Sequence, residues 1–91
     1  MTDLIISAIG LGICIAGIDI RQIISLNPNG TCLWVKTPYY YMEVDCPDKD
    51  NMNARFEADG KIINKSFHYS FTGFLDACDW FDEKLIASQR G

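Results

Sequence analysis

Histidine is nearly absent from this sequence, with His68 alone among 91 residues, and so are the short motifs that accompany catalysis. There is no Gly-x-Ser-x-Gly, no phosphate-binding glycine loop and no H-E-x-x-H. A general base would have to be His68 or an activated carboxylate. His68 stands beside Tyr69 and near Ser66 and Ser70, and it reads as a surface strand residue. No cysteine has a sequence neighbour that would activate it. The expectation is therefore a chain with no catalytic residue and no cofactor, and an enzyme built on His68 and a carboxylate is the least favoured class.

Positive charge is also scarce. Eight Lys and Arg stand against twelve Asp and Glu, giving a net charge of −4 and a pI near 4.6. Long-range attraction to phosphate backbones is not expected of such a chain, which removes nucleic acid as a partner and favours a protein with a basic surface. The four cysteines, Cys14, Cys32, Cys46 and Cys78, are 18, 14 and 32 positions apart, with no C-x-x-C and no paired histidine, so no metal site is expected. Cys14 and Cys78 fall among apolar residues and read as small buried hydrophobes. Cys32 and Cys46 are the one pair placed to meet across neighbouring strands, in an oxidising compartment. Asp45, Asp48, Asp50, Asn51 and Asn53 resemble a calcium loop only in composition. Counted from Asp48, Met52 takes a ligand position and Asn53 replaces the required glycine, which leaves a solvated turn.

What the chain has in abundance is aliphatic side chains near its start. No charge occurs from Leu4 to Ile18, and the pattern resumes after Asp19 and Arg21 with Ile23, Ile24 and Leu26. A cleaved signal needs a basic start, and a lipoprotein signal needs a small residue where Ile13 precedes Cys14; both fail. Between Ala8 and Ala16 large and small residues alternate, which suits a buried strand, but the whole run is too long for one. Placed on a helix, Ser7, Gly10, Cys14 and Gly17 form a stripe of small residues with isoleucine and leucine around the rest. Glycines inside an exposed helix cost about 1 kcal/mol each relative to alanine in water, whereas in a bilayer they let a second helix approach. Residues 1–26 thus read as one long apolar helix. It is expected to serve as a single-pass membrane anchor through residues 4–26, with Arg21 and Lys36 placing the following module in the cytoplasm. The competing reading folds this helix into the core of a soluble cytoplasmic domain.

Asn27-Pro28-Asn29-Gly30 is a turn cluster that opens a second unit, 27–91. Residues Cys32 to Thr37 and Tyr39 to Cys46 carry strand-forming residues, with Tyr40, Met42, Val44 and Cys46 on one face and Tyr39, Tyr41, Glu43 and Asp45 on the other. Ala54, Phe56 and Ala58 alternate with polar residues. Asp59-Gly60 predicts a two-residue hairpin with Phe56 opposite Ile63. Ser70 or Thr72 is placed to cap a final helix near Gly73, with Phe74, Leu75, Cys78, Phe81 and Leu85 inward and Asp76, Asp79, Asp82 and Glu83 outward. The expected fold is α+β: a long apolar amino-terminal helix, a three- or four-stranded antiparallel sheet and a carboxyl-terminal amphipathic helix packed on it. The last sixty residues resemble in outline the three-strand-plus-helix plan of AP2-type and integrase-arm DNA-binding modules, chiefly over Phe71 to Asp82 ending Asp79-Trp80-Phe81-Asp82. The basic strands of those modules are missing, so the resemblance implies the fold and not DNA binding.

Two surfaces stand out for a partner. Tyr39 and Tyr41, with Trp34, offer large aromatic area at little cost in rotamer entropy. The acids Asp76, Asp79, Asp82 and Glu83 form a row suited to a basic groove. The leading expectation is a small non-catalytic accessory or inhibitory protein, anchored in a membrane, whose α+β module binds another protein. The alternative is a soluble acidic interaction or inhibitor module with a phosphate-mimicking helix face.

Overall fold

The computed structural model describes residues 2–15, 17–19, 21–22 and 32–90, side chains at 2–5, 32 and 90 excepted. The first helix, α1 (Thr2–Leu11), stops where Gly12 takes a φ of +65°. There the Gly12 N–H donates to the Ile9 carbonyl at 3.1 Å and the Ile13 N–H reaches back to the Ala8 carbonyl at 3.2 Å. These two bonds are the Schellman arrangement, which satisfies the last carbonyls of a helix and needs a residue tolerant of left-handed backbone. The chain then forms β1 (Cys14–Ile15), turns with Gly17 at φ +79°, and pairs β2 (Ile18–Asp19) against it.

The long apolar helix expected over 1–26 is therefore corrected to a short helix and a small hairpin. Ser7 and Gly10 lie on α1, Cys14 on a strand and Gly17 in a turn, so the small-residue stripe does not exist. Among the described residues no helix is long and apolar enough to cross a membrane. The physical reason is local: Gly12 ends the helix, and Gly17, which the periodicity assigns to a seam for helix packing, turns the chain.

The main sheet is a meander of β3 (Cys32–Lys36), β4 (Tyr41–Asp45), β5 (Asn51–Ala58) and β6 (Lys61–His68), every neighbour antiparallel. The plan of three strands that the sequence resembles gains a fourth. Val35 faces Met42, Met42 faces Phe56, and Phe56 faces Ile63, so the predicted hairpin register holds. Asp59 and Gly60 both adopt positive φ, at 54° and 76°, which is what a two-residue loop matched to strand twist demands. The last helix, α2 (Phe71–Arg90), lies across one face of the sheet. Its start is fixed by Ser70, whose Oγ accepts the Gly73 N–H at 3.0 Å while its carbonyl accepts the Phe74 N–H.

Between sheet and helix the core holds Leu33, Val35, Met42, Val44, Met52, Ala54 and Phe56 from the strands and Phe74, Ala77, Cys78, Trp80 and Phe81 from α2. The amino-terminal segment contributes Ala8 and Ile15, with Ile13 and Ile18 packed at the margin. α2 is rotated relative to the sequence reading: Trp80 is buried and Leu75 is turned outward, 36% exposed. The buried set 74, 77, 78, 80 and 81, with Leu85 half-buried, centres the apolar stripe near Ala77 and Phe81 and leaves Leu75 beyond its edge.

Candidate functional site

The β3–β4 connection is a four-residue turn held by Thr37. Its N–H donates to the Tyr40 carbonyl at 2.9 Å, and its Oγ1 accepts the N–H groups of Tyr39 and Tyr40 at 3.1 and 3.0 Å. Pro38 presets the bend, leaving Tyr39 at the tip, 84% exposed. Tyr40 turns inward and stacks on Phe56 with ring centroids 5.9 Å apart, and burial pushes its phenol above the usual range.

Tyr41 goes to the sheet face that α2 leaves uncovered, together with Trp34, Glu43, Arg55, Glu57 and Ile62. There the Tyr41 hydroxyl donates to Glu43 Oε2 at 2.9 Å. Arg55 bridges two acids: Nη1 is 3.9 Å from Glu43 Oε1, and Nη2 donates to Glu57 Oε1. All four residues sit in adjacent strands at matched register, Tyr41 opposite Glu57 and Glu43 opposite Arg55, so the network joins β4 to β5. The two tyrosines predicted as one platform thus divide: Tyr39 projects from the sheet's end, and Tyr41 belongs to an ion-paired lattice on the open face.

Asp76, Asp79 and Glu83 are exposed and Asp82 half-exposed, all on the side of α2 away from the sheet. Exposed Leu75 and Ile86 border them, Ile86 being 51% exposed. Lys84 is held over the Trp80 ring, 6.0 Å from its centroid, and lies on the Trp80 flank of α2, beside Lys61 and Ile63 of β6. The sheet separates this acidic face from Tyr41, so the two surfaces singled out by sequence are not one site.

His68 is exposed at the end of β6, paired in register with Asn51. No three His, Cys, Asp or Glu side chains converge on a metal position among the described residues. The acid-rich loop is internally satisfied. Asp48 Oδ1 accepts the Asp50 N–H at 2.8 Å and the Asn51 Nδ2 at 3.1 Å, and these bonds hold its carboxyl below the ordinary range. At the other pair of charges outside the core, Arg21 donates to Asp19 through both its backbone and its guanidinium. The proposed Cys32–Cys46 pairing falls on a side chain outside the described residues; the backbone register sets Cys32 opposite Asp45.

Cys78 is buried on α2, and burial, reinforced by Asp82 and Asp79, pushes its thiol up to about 12. A thiol so raised offers little thiolate at neutral pH. Iodoacetamide labelling followed by mass spectrometry is expected to modify exposed Cys14 in the folded chain and Cys78 only after unfolding. Rapid native labelling of Cys78 would contradict its placement. The same shift has a pH sign. The unfolded thiol loses its proton from about pH 9 while the folded one keeps it, so stability falls as pH rises from 9 towards 12.

Sequence reasoning missed a further grouping. Lys61, Ile63 and Lys65 share the helix-side face of β6, and Lys61 and Ile63 line a groove with Phe56, Ala58, Lys84 and Ala87. The alternation Lys61-x-Ile63-x-Lys65 was the available signal; that Lys84 stands beside it depends on the helix crossing the sheet.

No protein-family model, no curated protein and no solved structure matches this chain, so its function rests on the chemistry of its own surfaces.

Proposed function

We propose that the chain is a non-catalytic protein-binding module that presents the outer face of α2 to a basic surface on its partner. The observation that supports this is the clustering of Asp76, Asp79, Asp82 and Glu83 on one helix face bordered by exposed Leu75 and Ile86. Acids alone would be an ordinary solvated face. Two large aliphatics within the same strip add apolar area that water does not favour, and a helix laid face-down on a partner uses such a combination. The acids speed and orient the encounter, and the aliphatics supply burial once docked. Anchorage of the module by residues 4–26 is not part of this reading, because α1 ends at Leu11 and Ile15 enters the core.

The test is affinity capture with the chain and with an Asp76→Asn, Asp79→Asn variant. A partner retained by the parent chain, lost by the variant and released near 1 M salt, where the Debye length is about 3 Å, is the expected result. Capture that survives both the substitutions and the salt would overturn it.

A further inference from the structure

We infer that the free edge of β6 is a docking site for an extended, acidic segment of a partner protein, which would add a fifth strand to the sheet. β6 is the last strand in the order, eight residues long, and no described strand pairs with its outer side. The two-residue Asp59-Gly60 loop determines which backbone groups are available there. Residues flanking such a loop exchange both hydrogen bonds, so Lys61, Ile63, Lys65 and Phe67 bond inward to β5. The N–H and C=O groups of Ile62, Asn64 and Ser66 and the N–H of His68 then point outward, while the His68 carbonyl lies against Gly73 at the start of α2; together they are a row of donors and acceptors at the spacing an added strand requires.

Charge selects the occupant. Of the eight cationic residues in a chain of net charge −4, Lys61, Lys65 and Lys84 gather on the helix side of this edge. Lys65 stands 5.5 Å from the Phe67 ring and Lys84 6.0 Å from the Trp80 ring, and Phe67 and Trp80 meet edge to face at 6.2 Å. The two ammonium groups are thus carried on one aromatic pair. A second copy of β6 laid antiparallel would bring Lys61 and Lys65 of each chain together, and like charges across a strand pair oppose that assembly. An incoming strand with carboxylates at alternate positions meets these lysines on one face. Its other side chains fall beside Ile62, 57% exposed on the opposite face. Asp59, also at the groove, sits at its hairpin end and limits the acidic register to the Lys61–Lys65 stretch. This site is independent of the acidic face of α2.

The experiment titrates the isotope-labelled full chain with a capped eight-residue peptide of alternating aspartate and valine, and with its lysine–valine counterpart, following backbone amides. The expected result is that the aspartate peptide shifts Ile62, Asn64, Ser66 and His68 and slows their exchange, while the lysine peptide does not. Asn64→Pro, which removes an outward N–H, should abolish the effect. Lys61→Glu with Lys65→Glu should weaken it roughly tenfold without touching backbone groups, so a proline variant that fails to fold leaves the test intact. Asp76→Asn with Asp79→Asn should leave it unchanged, which separates this site from the α2 surface. Unmoved β6 amides, equal binding of the lysine peptide, or a concentration-dependent β6–β6 dimer would each overturn the inference.

Discussion

Gly73→Ala is expected to remove a substantial share of the stability of this fold. A Cβ built at Gly73 would lie 2.0 Å from the His68 carbonyl oxygen and 3.3 Å from Ser70 Oγ. The first obstacle is backbone, at the end of β6, and cannot rotate away. The helix start must lift from the strand end, which also strains the Ser70 cap that accepts the Gly73 N–H. Overpacking costs roughly 1–3 kcal/mol and loss of a cap about 1 more, against a total of about 5–14 kcal/mol for a chain of this size. A loss of about 3 kcal/mol or more in urea denaturation is the expected outcome. Gly10→Ala is the control: nothing lies within 4 Å of its Cβ, its φ is ordinary for a helix, and a gain of about 0.5 kcal/mol is expected.

The surface charges have a simple geography. Acids cover the outer face of α2, lysines line the helix side of the β6 edge, and on the open sheet face Arg55 is neutralised by Glu43 and Glu57. A net charge of −4 therefore hides a dipolar surface, and the two proposed docking sites are of opposite sign. The sequence suggested only the acidic one, because helical acids recur at i+3 and i+4 and are visible in a row. The lysine site is assembled from two elements far apart in the chain.

Much of the module was legible in the residues themselves. Alternation in Met42-x-Val44 and Ala54-x-Phe56, the Asp59-Gly60 loop and the Ser70 cap each have a local cause, and each appears where that cause puts it. The amino-terminal segment was misread because its two signals conflict. Its aliphatic coating suits lipid, while Leu11-Gly12-Ile13 is a helix stop, a residue able to adopt positive φ followed by an apolar one that packs back. Leu75 and Trp80 exchanged roles for a different reason: an apolar stripe read from sequence has no fixed centre until the partner sheet sets the helix rotation.

The consequence of that correction is that the amino-terminal hairpin belongs to the same core as the sheet. Ile15 is 2% exposed, and β1 lies against α2. Ile15 shares its surroundings with Leu33, Val35, Val44 and Phe81. Truncating a buried isoleucine to alanine removes its transfer energy and leaves a cavity, about 2–5 kcal/mol together. Leu11, equally aliphatic and only four residues earlier, is 68% exposed, and its loss should cost no more than about 0.5 kcal/mol. A segment that served as a separate anchor would show no such contrast, since neither residue would touch the module. Urea denaturation of Ile15→Ala beside Leu11→Ala, monitored through tryptophan fluorescence, measures this directly. An unfolding free energy lowered by about 2–5 kcal/mol in the first and nearly unmoved in the second is the predicted result; an Ile15→Ala chain that unfolds with the parent's midpoint and slope would contradict it.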